Sequence, residues 1–164
     1  CPTTEGNLAD GVFKFKEFQA KNGNWSIGSD SHIGLSPFEE IRLLDYGQRL
    51  LSNDRNTFKS KENTNATEIA LKSIFINGHK AMGNKRNNYF EKGLSLDFIE
   101  VDMNQPLLAT CSNDNILNTI VYSNDLKSIK NTFTFGNSKK TNDPERKEII
   151  LKGFKKSLLK LKVR

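Results

Sequence analysis

Cysteine is scarce. It occurs twice in 164 residues, at positions 1 and 111. Two thiols so far apart build no disulfide framework of the kind that braces small secreted domains. A reducing compartment is the simpler setting, and a cytoplasmic location is expected. Histidine is equally rare. His32 and His79, with one cysteine well inside the chain, cannot assemble the three or four ligands of a complete zinc site. No apolar run approaches the roughly 20 residues of a transmembrane helix, and no signal peptide is visible, so no membrane partner is expected. Zinc-finger spacing is absent, and aromatic residues do not interleave with basic ones as on a single-strand-binding surface. Nucleic acid is therefore not expected as a partner, although the net charge is +6. Much of that excess lies in KEIILKGFKKSLLKLKVR at 147–164, which reads as a solvated helix face.

The length suits one domain. The hydrophobic fraction, 35%, is low for a self-contained globule, while the charged fraction of 27% is ordinary. Residues 1–11 read as irregular. VFKFKEF at 12–18 alternates like a strand, but a helix with Phe15 and Phe18 on one face fits as well. KNGN at 21–24 is a turn, and WSIGS at 25–29 is expected to form a short buried strand. From Ser36 the pattern is helical. Ser36 caps, Pro37 takes the first helical position, and Glu39 completes a capping box. Phe38, Ile41, Leu44, Leu50 and Leu51 would pack on a sheet, and the helix ends near Leu51. SNDRNTFKSKEN at 52–63 reads as a polar loop. A second helix starts near Asn65, with Glu68 three residues on and Ile69, Leu71, Ile74 and Phe75 inward. Asn77–Gly78 reads as its break. Strands are expected within 94–102, 116–123 and 128–135, with LLATCSNDN at 107–115 a loop before the second. A last helix runs from Asp143–Pro144 to about 162. The opening strand and helix resemble one unit of a parallel sheet, which needs neighbours on both sides. The chain reads as the end of a larger fold.

The stretch GSDSH at 28–32 follows the first expected buried strand. In (β/α)8 barrels, residues just past the carboxyl ends of strands carry the chemistry. Asp30 there can bind a metal ion or carry a proton, and His32 can bind substrate or support the aspartate. Taken by itself the stretch also fits a simple turn, with the aspartate bonded to nearby backbone. His79, after Asn77–Gly78 and without a partner cluster, reads as a surface histidine. Arg42 reads as half of a surface ion pair.

CPTTEGNLADGVF at 1–13 and NWSIGSDSHIGLSPFEEIRLLDYGQRLL at 24–51 resemble the N-formimidoyl-L-glutamate deiminases of histidine degradation, a branch of the amidohydrolase superfamily. EIALKSIFINGHKAMG at 68–83, EKGLSLDFIEVD at 91–102 and SNDLKSIKNTFTFGNSKKTND at 123–143 resemble later segments of the same family. The resemblance covers nearly the whole chain but only the last third or so of the enzyme. It implies an α/β fold: the last one or two βα units of a metal-dependent (β/α)8 barrel at 1–90, part of a small flanking β domain at 91–142, and a terminal helix at 143–164.

By that resemblance, CPTTE follows the seventh barrel strand and GSDSH the eighth. Asp30 matches the aspartate that binds the metal and shuttles a proton. Ser29 and Ser31 would tune the loop, and His32 would stand beside the substrate or behind the aspartate. Thr3, Thr4 and Glu5 would lie on the rim, near the substrate carboxylates or the loop that closes over them, with Glu5 orienting a basic group. The implied cofactor is one divalent ion, zinc first and iron as the alternative. The implied reaction is attack of metal-bound water on a C=N carbon of a small acidic substrate, releasing ammonia. The family's other metal and acid–base residues precede Cys1, so the implied partner is the remaining N-terminal part of the barrel, and the family implies a homodimer. The isolated chain is expected to be inactive. Cys1 is expected to be a processed end or the start of a fragment. The alternatives are another amidohydrolase deaminase, or a basic lipoprotein or binding module with Cys1 lipidated.

Overall fold

Three helices begin where their caps place them. The computed structural model of the chain describes residues 1–55, 57–58, 65–124, 126–140 and 143–162. The longer helices are α3 (Pro37–Ser52), α4 (Ala66–Ala81) and α7 (Pro144–Leu161). Ser36, Asn65 and Asp143 each accept the backbone N–H three residues on, at 3.2, 3.2 and 2.9 Å. Each bond satisfies one of the donors that a helix start leaves without an intrahelical partner. The shorter helices are α1 (Pro2–Leu8), α2 (Phe15–Ala20), α5 (Pro106–Ala109) and α6 (Ile116–Ser123). A three-stranded antiparallel sheet runs β1 (Phe98–Val101), β2 (Ile129–Thr134), β3 (Asn137–Ser138) in that order. The result is an α/β fold with a small antiparallel sheet flanked by helices. No closed barrel is present among the described residues.

Several sequence-based expectations give way. Residues 2–8 are helical, with Pro2 opening the first turn. The ambiguous 12–18 stretch resolves as helix from Phe15. Phe15 is fully buried, whereas Phe18 is part-exposed beside Phe13. Residues 25–29 form no ladder among the described residues. Side-chain bonds hold them against α4 instead. Asn77 Nδ2 donates to the Trp25 carbonyl, and Ser26 Oγ donates to the Ile74 carbonyl, both at 3.0 Å. That explains Asn77–Gly78. It is no break, because α4 runs through it to Ala81. A Cβ at Gly78 would lie 3.0 Å from Ser26 Oγ, so glycine there allows the close approach.

ILNTIVYS is helix α6, not a strand. Its β-branched content favours a strand, yet Ile116, Ile120 and Val121 share one helix face, and the last two are buried. α3 also packs on helices rather than on a sheet. It meets α1, α2 and α6, with Phe38, Ile41 and Leu44 buried but Leu50 and Leu51 exposed. Arg42 is not a surface ion pair. Its Nη1 donates to the carbonyls of Val121 (2.8 Å) and Asn124 (3.0 Å), satisfying acceptors that the end of α6 leaves open. LLATCSNDN is not a plain loop, since it holds the end of α5 and a 3-10 turn at Asn113–Asn115. Positions 56 and 59–63 of the expected polar loop lie outside the described residues, but Phe58 is buried in the core. There Phe15 meets Trp25 (4.8 Å) and Phe58 (5.4 Å) edge-on, and Trp25 stacks on Phe58. His79 is half-buried. Its ring lies 4.7 Å from Phe75, and its Nδ1 is buried without a hydrogen bond.

Two strands fall close to expectation. Phe98 pairs with Phe133 across β1 and β2, rings stacked at 4.3 Å. Phe135 and Gly136, both at positive φ, make the two-residue turn into β3, a geometry that matches strand twist. Helix α7 has no buried residue, and its Ile150, Leu151, Phe154, Leu158 and Leu161 are exposed along with its lysines. Among the described residues no helix is long and apolar enough to cross a membrane.

A part-buried polar triad, centred on the buried Asp45, ties α3 to α6. Asp45 accepts from Tyr122 Oη at 2.7 Å and from Arg49 Nη2 at 2.5 Å. Burial first, and the bond to Asp45 second, push the Tyr122 hydroxyl well above the usual phenol range. The folded state therefore holds this proton more tightly than the unfolded chain does. Its contribution is complete below about pH 10 and is lost as pH climbs through the raised range. Unfolding free energy is expected to fall above pH 10 with a shallower slope in Tyr122→Phe than in the parent. Equal slopes in urea titrations at stepped pH would remove Tyr122 from the alkaline transition.

Candidate active-site rim

Two short segments meet at the N-terminal end of α3. One is CPTTE, which opens α1. The other is GSDSH, which follows the segment held against α4. What joins them is a set of polar groups that the chain buries. Glu40, in the first turn of α3, is 2% exposed. Its Oε2 accepts the Thr3 backbone N–H at 3.1 Å, and its Oε1 accepts from the Thr3 hydroxyl. A helix N-terminus favours a carboxylate, and the two donors compensate its burial. The next residue continues the chain of bonds. Thr4 Oγ1 donates to the Ser29 carbonyl at 2.7 Å and accepts the His32 N–H at 3.1 Å.

The His32 N–H also reaches the Ser29 carbonyl, at 2.9 Å, closing a turn. Asp30 and Ser31 are its exposed tip. Asp30 has φ 47°, the left-handed region that an L-residue enters at some cost and that aspartate tolerates better than most. Its carboxylate has no hydrogen bond or ion pair among the described residues. His32 Nδ1 accepts the Gly34 N–H at 3.0 Å, so in the neutral ring Nε2 carries the proton. Glu5 Oε1 sits 3.1 Å from the nitrogen of Cys1. A cleft of about 300 Å³ beside the rim is lined by Glu5, Phe15, Trp25, Ile27 and Leu44 among others. Asp30 and His32 stand outside it.

The structure thus brings Thr4, Ser29, Asp30, Ser31 and His32 into one cluster, backed by Thr3. Thr3 and Thr4 are both buried, with their hydroxyls turned to protein partners. Sequence reasoning missed Glu40. The signal was there: it falls on the same helix face as Ile41 and Leu44, where a charged residue has to find a partner.

A divalent ion needs several donors held together. Among the described residues no three His, Cys, Asp or Glu side chains converge. Asp30 offers one oxygen ligand, and the Nδ1 of His32 is already engaged. These residues do not make a metal centre by themselves.

No family model matches the chain. The formimidoylglutamate deiminase of Pseudomonas aeruginosa is 32% identical to it over 136 residues, which are 83% of this chain and 30% of that protein. A crystal structure of an amidohydrolase from Brucella melitensis matches with a TM-score of 0.82 and 28% identity, covering 98% of this chain and 35% of that one. The chain therefore spans about a third of the length of the relatives it matches. Likeness in both sequence and backbone makes it a relative of formimidoylglutamate deiminase within the amidohydrolase superfamily, corresponding to only part of the full enzyme.

Proposed function

We propose that the chain is the carboxyl-terminal part of a hydrolase that converts N-formimidoyl-L-glutamate and water to N-formyl-L-glutamate and ammonia. The observation that carries this reading is the 32% identity to a protein of that activity's name. The clustering of CPTTE and GSDSH around one exposed carboxylate supports it. Asp30 is the proposed acid–base residue. It takes a proton from the water that attacks the formimidoyl carbon and gives it to the imino nitrogen, then carries the second proton from the resulting hydroxyl to the same nitrogen as the C–N bond breaks. A C=N bond is thereby exchanged for C=O, and the nitrogen leaves as ammonia.

A bound divalent ion, zinc first and iron second, would acidify that water. Asp30 would be its one ligand from this chain, the others coming from the rest of the polypeptide. His32, Ser29 and Ser31 hold the shape of the Asp30 turn. Thr3 and Thr4 are engaged with protein, and Glu5, whose Oε1 already meets the Cys1 nitrogen at 3.1 Å, is the acidic rim group proposed to orient a basic residue. The isolated chain is proposed to be inactive. A cytoplasmic homodimer is the proposed state of the whole enzyme.

The test uses the full-length protein loaded with zinc and an assay for released ammonia. N-formimidoyl-L-glutamate is expected to be turned over with kcat/KM above about 10⁴ M⁻¹s⁻¹, within the ordinary range for enzymes, while guanine and other amidine-bearing rings release none. Ammonia from a ring substrate, with none from N-formimidoyl-L-glutamate, would replace this reading with another deaminase.

A further inference from the structure

We infer that Thr4 is a positioning residue for Asp30, and that Glu40 fixes Thr4 from behind through Thr3. This rests on the proposed role of Asp30. The turn that carries Asp30 is closed by one internal bond, His32 N–H to Ser29 carbonyl. Its tip residue sits in the left-handed region, which an L-residue enters at some cost. One bond across an exposed turn does not fix a carboxylate to the tolerance that proton transfer needs. A second restraint comes from 25 residues earlier in the chain. The Thr4 hydroxyl touches both ends of the turn at once, donating to Ser29 and accepting from His32.

That double use decides between the two roles open to Thr4. A hydroxyl has one proton to donate, and Thr4 gives it to a carbonyl. The side chain is 4% exposed, so it has neither a donor nor a surface to offer a substrate. Glu40 is in the same position. Both of its oxygens are taken up by Thr3, and it lies under the rim rather than on it. The path is continuous: the start of α3 holds Glu40, Glu40 holds Thr3 by two bonds, and the adjacent Thr4 holds the turn.

Thr4→Val in the full-length enzyme is the direct test. Valine keeps the branched shape, and Ser29 keeps its bond from His32, so the turn persists with one restraint fewer. Misplacement of a reacting group by about 1 Å costs up to about 10²-fold. T4V is therefore expected to lower kcat roughly 10- to 100-fold with KM within about three-fold of the parent, and Thr4→Ser to restore kcat to within about three-fold. Should T4V not yield folded protein, Glu40→Gln carries the test. It keeps the volume but sets an amide against the Thr3 donors, and kcat is expected to drop with KM steady. Unchanged kcat in a folded variant overturns the inference. So does a raised KM at constant kcat, which would make Thr4 a substrate contact. Asp30→Asn is run beside them. If it stays active, the Asp30 reading itself fails. If it is dead while T4V and E40Q are unimpaired, only the positioning role fails.

Discussion

Asp30→Asn is expected to lower turnover of the full-length enzyme by at least about 10³-fold, toward the upper end of what a positioned acid–base group contributes. The size of the effect follows from what the substitution leaves alone. Asp30 is exposed at the tip of its turn, and its carboxylate has no protein partner among the described residues. Asparagine enters the left-handed region as readily as aspartate. Folding of the metal-free protein should therefore be indifferent to the change, with the midpoint of its thermal unfolding moved by no more than about 2 °C, as for a surface substitution that keeps the backbone conformation. The charge and the ability to take up a proton are removed, and with them the one carboxylate this chain would offer the proposed metal ion. The paired measurement is kcat for ammonia release and the unfolding midpoint. Turnover within a few-fold of the parent reduces the residue to a turn former. Lost turnover together with a large fall in the midpoint would mean that the turn, rather than the carboxylate, had been damaged.

The parts of this molecule that could be read from the sequence are those decided within a few residues. Ser36–Pro37, Asn65 and Asp143–Pro144 start helices because the capping oxygen and the donor it serves are three positions apart. The GSDSH turn is local in the same sense. What could not be read depends on partners distant in the chain. Residues 25–29 have the composition of a buried strand, but a strand exists only with neighbours to pair with, and here their contacts are Asn77 and Ile74 of α4. ILNTIVYS carries strand-like residues and becomes a helix because α3 lies beside it, with Arg42 at its end. Asn77–Gly78 looked like punctuation and is a contact, its glycine kept small by Ser26. The rim follows the same division. Asp30 and His32 were visible as a motif and Thr4 through the family resemblance, while Glu40 and the bonds that Thr4 makes emerge only when segments 25 to 37 residues apart are brought together.

Those long-range contacts also set the second large effect. Phe15→Ala is expected to destabilise the protein by about 3–5 kcal/mol, the usual cost of emptying a buried aromatic site. Phe15 is fully buried and meets Trp25 and Phe58 edge-on. Alanine would leave a void beside two rings that stack on each other, and the edge contacts, worth about 0.5–1.5 kcal/mol each, would be lost with it. Phe18, three residues on in the same short helix, is part-exposed and serves as the control, with an expected cost below about 1.5 kcal/mol. Against a typical total of about 5–15 kcal/mol, the first change takes a large share and the second a small one. Urea unfolding should show the midpoint falling with unchanged slope. The aromatic cluster also anchors Trp25, from which the chain runs through Ile27 into the Asp30 turn. Phe15→Ala should therefore lose ammonia release at temperatures where Phe18→Ala still works. If the two variants prove equally stable, Phe15 is not the centre of this core, and Trp25 is not what holds the segment leading to the rim.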